Sequence, residues 1–440
     1  MLKLEDNKIA GRFPYWMWNC SKETLIIIDI KDNSLIGFDQ LPVLLPWTSL
    51  RYFDFSNNML QGSIPIPQSS TVVYDISHNS LTGEISPLIC NMSSLQVLDL
   101  SDNSLGGSIP QCLFNFSYFL QVVDLKSNNL QGCIPQSWTK VNYLKVINLS
   151  QNKLQGQLPK SLANCTALEN LDVSDNQLND VFPTYLAALP RLKILILRSN
   201  EFHGPVNSSE TNNGFPYLAI IDLSCNSFNG EFPFKLFQDW TKRKNDSAEH
   251  LAYMHVQEDF TAIDISSNKF EGEIPNFIGD LEGLYLLNLS NNRFVGSIPT
   301  SLGSLAKLES LDMSQNKLFG QIPQELTRLT FLEFFNVSCN NLHGPIPRGK
   351  QFDTFENNSF LGNLELCGNP LSKKCGSFDS SPPLLSPSEE DQGYFELISW
   401  IIILMGYGCG LVIGFAIGLR EIIFVYQDCG NWTKNTEEGE

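Results

Sequence analysis

One spacing of apolar residues recurs along most of the chain and constrains its fold more than any other feature. Residues 95–110 read L-Q-V-L-D-L-S-D-N-S-L-G-G-S-I-P, and residues 144–159 return to the same apolar positions. The shared template is L-x-x-L-x-L-x-x-N-x-L-x-G-x-I-P, with a period of about 24 residues. Because a fixed period of this length produces stacked coils, the 440 residues predict one solenoid array in place of several globular domains.

An asparagine occupies the same template position in each copy, and the period is typical of a leucine-rich repeat. Its carboxamide can both donate and accept, so we expect it to bond backbone groups of its own coil and of the next coil where a strand ends. This predicts a structural ladder without a chemical role. The fourteen copies are Asn7, Asn33, Asn58, Asn79, Asn103, Asn128, Asn152, Asn176, Asn200, Asn226, Asn268, Asn292, Asn316 and Asn340.

The L-x-L part of each copy alternates apolar and polar residues, which predicts a short strand with its leucines pointing inward. Strands of successive coils must then lie parallel. The predicted fold class is an α/β repeat solenoid, a leucine-rich-repeat superhelix with a concave parallel β-sheet. Glycine and proline near the end of the template are expected to allow the backbone turn and to close the motif where the chain leaves the sheet.

The concave face is the expected recognition surface, and its most frequent exposed residue is predicted to be the aspartate of L-D-L-S. That aspartate recurs in nine coils, so it is part of the template and not a site: Asp29, Asp54, Asp75, Asp99, Asp124, Asp172, Asp222, Asp264 and Asp312. One coil departs from the template with apolar and basic groups. We therefore predict that Ile194, Ile196 and Arg198 face a ligand.

The membrane is expected to be crossed once, near the C-terminus. Residues 397–419 are 23 consecutive positions without a charge, enough for a helix that spans a hydrocarbon core of about 30 Å. Within them a glycine recurs at every fourth position, which favours a helix-pairing face, although glycine is also simply common in membrane helices. These residues are Gly406, Gly410, Gly414 and Gly418.

The boundaries around that segment follow from breaks in the template. The spacing of Cys367 and Cys375, within the expected C-terminal cap, suits a disulfide. The first coil is partial, which fits either a truncated gene model or fragment, or a natural short form. The predicted segments are repeats 1–233, an island loop 234–259, repeats 260–347, a cap 348–376, an acidic Pro- and Ser-rich juxtamembrane linker 377–396, the helix 397–419 and a short cytoplasmic tail 420–440.

The net charge and the glycosylation motifs indicate which cellular compartment and which classes of partner the chain has. The net charge of -18 disfavours nucleic acid as a partner. The motif Asn-x-Ser/Thr precedes the apolar span ten times, and eleven cysteines without zinc-site spacing accompany it, which indicates an oxidising secretory route and a plasma-membrane protein with extracellular repeats. The sequons begin at Asn19, Asn91, Asn115, Asn148, Asn164, Asn207, Asn245, Asn288, Asn336 and Asn357.

Nothing in the sequence indicates catalysis. The 21 residues after the apolar span are far fewer than the roughly 50 of a small domain, so they cannot hold a kinase. The five histidines are not spaced for a metal, and no nucleophile is set beside a base. We expect neither an enzyme nor a cofactor.

The G-x-I-P endings of the repeats and the amino-acid sequences of residues 162–205 and 261–275 resemble those of the plant leucine-rich-repeat receptor-like proteins. The resemblance covers nearly the whole chain. It implies a kinase-lacking, single-pass receptor for an extracellular protein or peptide, used in plant defence. It also implies two partners: an adaptor leucine-rich-repeat receptor kinase that pairs through the membrane helix, and the ectodomain of a co-receptor kinase.

Two other functions remain open beside this one. The chain could be a co-receptor or adaptor for developmental peptides, or a truncated product that does not signal. The island departs from the family's pattern, because it is short and lacks the family's Tyr- and Lys-Gly-containing segment. Its basic run 242–244 fits either a solvated loop or a contact with an acidic partner.

Overall fold

Each repeat contributes one strand to a single parallel sheet. The computed structural model describes residues 1–115, 118–138, 143–206, 215–237 and 260–375. Its fourteen-stranded sheet follows chain order, with every neighbour parallel, and confirms the leucine-rich-repeat solenoid. The strands are Leu2–Lys3, Ile27–Asp29, Tyr52–Asp54, Val73–Asp75, Val97–Asp99, Val122–Asp124, Val146–Asn148, Asn170–Asp172, Ile194–Ile196, Ile220–Asp222, Thr261–Asp264, Leu284–Asn288, Ser310–Asp312 and Phe334–Asn336.

Alternation along each strand decides which side chains form the core. Leu98 and Leu100 are fully buried and belong to the continuous hydrophobic core, whereas Val97 and Asp99 lie on the opposite face of the sheet. Each fully buried leucine contributes about 1.5–3 kcal/mol relative to an exposed one. Because the template places such leucines in every coil, the core extends from coil to coil without a break.

A second set of short parallel strands follows the ladder asparagines, and the sequence did not predict it. It contains the template glycine, which takes a left-handed conformation with φ of +78° at Gly132. These strands form sheets of two to four members. They are Ala10–Phe13, Ser34–Phe38, Gln61–Gly62, Ser80–Glu84, Ser104–Gly106, Gln131–Cys133, Lys153–Gly156, Gln177–Leu178, His203–Pro205, Ser227–Gly230, Lys269–Glu273, Arg293–Val295, Phe319–Gly320, Asn341–Pro345 and Glu365–Cys367.

The helical part of the expected α/β class consists of 3-10 helices in the described residues, which contain no α-helix. A proline precedes most of them, and few residues remain before the next coil, so only a tight turn fits. Leu162 N–H, for example, donates to Pro159 C=O at 3.0 Å. The helices are Tyr15–Asn19, Pro87–Asn91, Lys160–Asn164, Thr184–Ala188, Phe234–Leu236, Asn276–Asp280, Thr300–Ser304, Gln324–Arg328, Lys350–Asp353 and Asn357–Ser359.

The ladder asparagines bond the backbone of two coils, and Asn128 is typical. Its Oδ1 accepts from Leu105 N–H at 2.9 Å, and its Nδ2 lies within 3.2 Å of the carbonyl oxygens of Leu100, Leu125 and Lys126. Leu100 and Leu105 belong to the preceding coil, so the ladder points backward along the chain and not to the next coil as expected. From Asn33 onward, each asparagine therefore ties its own strand end to the coil before it.

The array continues across the expected island without a shift in register. Strand Ile220–Asp222 pairs directly with Thr261–Asp264, and Phe228 N–H donates to the Asn268 carboxamide at 2.9 Å. Phenylalanines replace the last template leucine here, and the rings of Phe228 and Phe270 stack 6.4 Å apart. Residues 238–259, which include the basic run, lie outside the described part of the chain. The insertion thus joins two coils that are neighbours in the stack.

Two features at the ends of coils were not predicted. Cys90 and Cys112 form a disulfide between neighbouring coils, with Cα atoms 6.0 Å apart. Asn363 extends the ladder into the cap, where it accepts from Leu342 N–H at 3.0 Å. Cys367 and Cys375 are each disulfide-bonded, as a bond between them would require.

The expected membrane segment 397–419, with its four glycines, lies outside the described residues, as do linker and tail. Over the ranges that the structure describes, no helix is long and apolar enough to cross a membrane. The described residues fall almost entirely within one unit, Met1–Arg243 together with Thr261–Lys373.

Replacing a ladder asparagine should destabilise the array far more inside it than at its first coil. Asn128→Ala leaves Leu105 N–H buried without its acceptor, so the free energy of unfolding should fall by about 2–4 kcal/mol. Asn7 is exposed and its side chain bonds only Leu4 and Glu5 of its own coil, so Asn7→Ala should cost less than about 0.5 kcal/mol. Urea unfolding followed by tryptophan fluorescence measures both, and equal losses would contradict the ladder's role.

Candidate functional site

The face of the main sheet that points away from the core carries a mostly acidic line of residues, one at the end of each strand from the second to the last. We call it the aspartate column. Register places Asp54 beside Asp75, and Asp75 beside Asp99. In chain order its members are Asp29, Asp54, Asp75, Asp99, Asp124, Asn148, Asp172, Ile196, Asp222, Asp264, Asn288, Asp312 and Asn336.

Seven of the nine aspartates are held by the serine two residues later. Asp99 Oδ1 accepts from Ser101 N–H at 2.9 Å and from Ser101 Oγ at 2.6 Å, and Asp75 bonds Ser77 in the same way. The D-x-S part of the template is thus a hydrogen-bonded pair that closes the end of each strand. Among the described residues no group of three or more acidic, His or Cys side chains converges to hold a metal.

Burial contradicts the expectation that these aspartates are exposed. Asp54 and Asp99 are each only 2% exposed, because strands on both sides cover them. Burial, and then the charge of Asp75, raise the pKa of Asp54 to about 7. Burial also raises the pKa of Asp99, with Asp124 beside it adding to the effect. The column therefore concentrates acidic groups that resist ionisation.

Asparagine replaces aspartate at three places in the column and reduces the repulsion there. Asn148 Nδ2 donates to Asp124 Oδ2 at 3.1 Å, and Asn288 Nδ2 donates to Asp264 Oδ2 at 3.0 Å. A neutral carboxamide removes one charge and supplies a donor to its acidic neighbour. Asn336 makes the same bond to Asp312 at 3.4 Å in the last strand.

The predicted ligand patch coincides with a break in the column. Ile196 stands where aspartate is expected, between Asp172 and Asp222, and Arg198 stands where the paired serine would be. Arg198 Nη2 donates to Asp175 Oδ2 at 2.9 Å. Burial alone lowers the pKa of Arg198, but Asp222 and Asp175 outweigh it and raise that pKa. The guanidinium thus supplies positive charge within an acidic surface.

The three patch residues differ in how much surface they offer. Ile194 is only 2% exposed, packed on the sheet face beside Asn170 and Ile220, so almost none of it can touch a ligand. Ile196 is half-buried, and the Arg198 side chain retains 12% of its exposure. The accessible part of the patch is therefore Ile196 and the edge of Arg198.

The predicted sequons occupy different settings in the structure. Asn207 and Asn245 lie outside the described residues, and Asn115 is half-buried at the end of a coil turn. Exposed asparagines are Asn19, Asn91, Asn164 and Asn357, and those within strands of the main sheet are Asn148, Asn288 and Asn336.

The aspartate column should make the fold less stable as pH rises. Folded-state pKa values raised above 3.8 mean that the native chain binds more protons than the unfolded chain between pH 3.8 and about 7. Stability is greatest below that window and falls through it, so the thermal midpoint should drop by about 5 °C between pH 5 and pH 8. Asp99→Asn, made without N-glycosylation, should show a smaller drop in circular-dichroism melts. A midpoint that rises with pH would contradict the raised pKa values.

Comparison with known proteins agrees with this architecture. Leucine rich repeat family models match residues 119–178 and, in a second form of the repeat, residues 49–69, 94–116, 260–281, 283–305 and 307–329. The structure of the Arabidopsis receptor kinase HAESA with the peptide hormone IDA and the co-receptor SERK1 is similar, with a TM-score of 0.64 and 29% identity. That match covers 84% of this chain and 62% of HAESA. PEPR1 bound to AtPEP1 is similar at a TM-score of 0.54 and 27% identity, over 83% of this chain and 59% of that one.

Curated relatives extend the similarity along nearly the whole chain. Receptor-like protein 54 of Arabidopsis thaliana is 40% identical, over 95% of this chain and 56% of the relative. Receptor-like protein 7 of the same plant is 47% identical, over 97% of this chain and 47% of the relative. The chain spans about half the length of such relatives. With its repeats, its solenoid and these relatives in agreement, the chain belongs to the plant leucine-rich-repeat receptor-like proteins.

Proposed function

We propose that this chain is a cell-surface receptor-like protein that recognises an extracellular protein or peptide and signals through a partner receptor kinase. The observation that carries the proposal is the break in the aspartate column at Ile196 and Arg198. At the two positions where the template has the hydrogen-bonded Asp and Ser, this coil has an apolar and a basic side chain. Ile196 has no side-chain acceptor for the hydrogen bonds that close other strand ends, and we propose that these two side chains contact a partner.

The surroundings of the break favour a peptide with both apolar and acidic character. Ile196 offers an apolar contact, and Arg198 offers a guanidinium that can bind a carboxylate bidentately. Asp175 forms an ion pair with Arg198, and 18% of the Asp175 side chain is exposed. A ligand carboxylate would compete with Asp175 for the guanidinium, which ties recognition to this one coil.

The similar structures with bound ligands support a peptide as the ligand class. HAESA is described with a peptide hormone and a co-receptor, and PEPR1 with AtPEP1. By analogy, the ectodomain of a co-receptor kinase is the expected second partner. Defence is the biological role that we favour, and developmental peptide sensing is the alternative. Non-enzymatic ligand binding agrees with the family.

We further propose that the chain crosses the membrane through residues 397–419 and pairs there with an adaptor receptor kinase. The support is the uncharged length of that segment and the four glycines in register within it. On a helix, residues four apart lie on one face, so the glycines would allow another backbone to approach closely. In this proposal the kinase partner supplies the catalytic activity of signalling.

Restoring the template at the break should remove ligand binding while adding one more carboxylate to the aspartate column. The double variant Ile196→Asp with Arg198→Ser recreates the Asp-x-Ser pair seen at Asp222 and Ser224. Peptides selected from a display library on the wild-type ectodomain should bind this variant about ten-fold or more weakly. Lys126→Ser is the matched control, because it restores the same serine in another coil. Equal binding of the selected peptides to the double variant would refute the patch.

Replacing the glycine stripe should separate membrane insertion from kinase pairing. Leucine at Gly406, Gly410, Gly414 and Gly418 keeps the segment apolar but fills the proposed contact face. Co-purification with a co-expressed adaptor receptor kinase should be lost, while the chain stays in the membrane fraction. The control carries Ile401→Leu, Met405→Leu and Val412→Leu, which lie on the opposite side of a helix. Undiminished co-purification of the glycine variant would rule out pairing through this stripe.

A further inference from the structure

The exposed and half-buried sequons differ in the element that carries them. Asn19, Asn91 and Asn164 are each the last residue of a 3-10 helix, and all three are exposed. Asn148 and Asn288 each end a strand inside the main sheet and are half-buried. The same Asn-x-Ser/Thr motif thus occurs in two environments that differ in access to solvent.

In each of these two sheet asparagines, both the nitrogen and the oxygen of the carboxamide make hydrogen bonds. Besides the bond from its Nδ2 to Asp124, Asn148 Oδ1 accepts from Ser150 N–H at 3.2 Å and from Ser150 Oγ at 2.7 Å. Asn288 repeats these contacts with Ser290 at 3.1 and 2.8 Å. Register places Asn148 between Asp124 and Asp172 on adjacent strands. Both side chains act as members of the aspartate column.

This role explains why the motif occurs in the sheet at all. The column needs an oxygen acceptor at one position and a serine two residues later. When asparagine takes the place of aspartate in D-L-S, the result reads N-L-S, which is a sequon. The motif at these positions is therefore a consequence of the strand-end hydrogen bonds, and no attached sugar is needed to account for it.

The chemistry of attachment conflicts with the sheet position. N-glycosylation uses a glycosyl diphosphate donor: the bond from sugar C1 to the diphosphate breaks, a bond from C1 to Nδ2 forms, and Nδ2 releases one proton. The product nitrogen keeps one N–H and carries a bulky sugar. At Asn148 that sugar would stand among strands about 4.8 Å apart, over side chains that are already buried. A sugar attached before folding would have to be accommodated there as the coil forms.

From this contrast we infer that Asn19, Asn91 and Asn164 carry N-linked glycans and that Asn148 and Asn288 remain unmodified. Glycans then project from the ends of the 3-10 helices, and the main-sheet face around the proposed ligand patch stays bare. The inference rests on the proposed function only in requiring passage through a glycosylating compartment. It is independent of which ligand or kinase the receptor uses.

The inference is tested by measuring which sequons carry a glycan after the chain has passed through the secretory route. The full chain is expressed in insect cells behind a heterologous secretory leader, and peptides are treated with an N-glycosidase in heavy-oxygen water. Conversion of asparagine to labelled aspartate should be found by mass spectrometry at Asn19, Asn91 and Asn164, and not at Asn148 or Asn288. Labelling of either sheet asparagine, or its absence at all three helix ends, would overturn the inference.

Two new sequons provide a matched pair that does not depend on the native sites. Asp99→Asn creates N-L-S in the sheet, at the position equivalent to Asn148, and Arg328→Asn creates N-L-T at the exposed end of the helix Gln324–Arg328. Arg328→Asn should add one glycan, seen as a step in electrophoretic mobility that the glycosidase removes. Asp99→Asn should add none. A glycan on Asp99→Asn, or none on Arg328→Asn, would contradict the inference whatever the outcome of the peptide-binding test.

Discussion

The fold depends on satisfying the backbone where each strand leaves the sheet. At that point the chain turns through a residue with positive φ, such as Ser127 at +53°, a conformation that costs a non-glycine residue about 1 kcal/mol or more. The next residue, Asn128, holds the turn by bonding backbone groups of two coils. Because every coil repeats this arrangement, the strained turns and the asparagines that fix them determine the spacing of the whole array.

The aspartate column is the second consequence of stacking identical coils. A carboxylate that closes its own strand end through a serine is placed beside the carboxylates of its neighbours, and all of them are buried or half-buried. Substitutions relieve this repulsion in two ways: a neutral carboxamide at Asn148 and Asn288, and a cation at Arg198. The places where the column changes are thus also the places where the surface acquires other properties, a sequon in one case and the proposed ligand patch in the other.

Much of the architecture could be predicted from the sequence, because the leucine spacing and the ladder asparagines are local and periodic. The second strands could not, since several contain only two or three residues and lack an alternating pattern. Burial of Asp99 was missed because alternation identifies its face but not how closely neighbouring strands cover it. The disulfide between Cys90 and Cys112 could have been predicted from one feature of the sequence, a separation of 22 residues that places the two cysteines one coil apart.

The junction between Ile220–Asp222 and Thr261–Asp264 has a consequence for how such arrays diversify. The two strands are hydrogen-bonded parallel neighbours, so the stack fixes the points at which whatever connects them leaves the first strand and enters the second. The cost of closing such a connection rises only by about 0.6 kcal/mol for each doubling of its length. Insertions of very different length and composition can therefore replace one another at this junction, while the coils on either side keep their register.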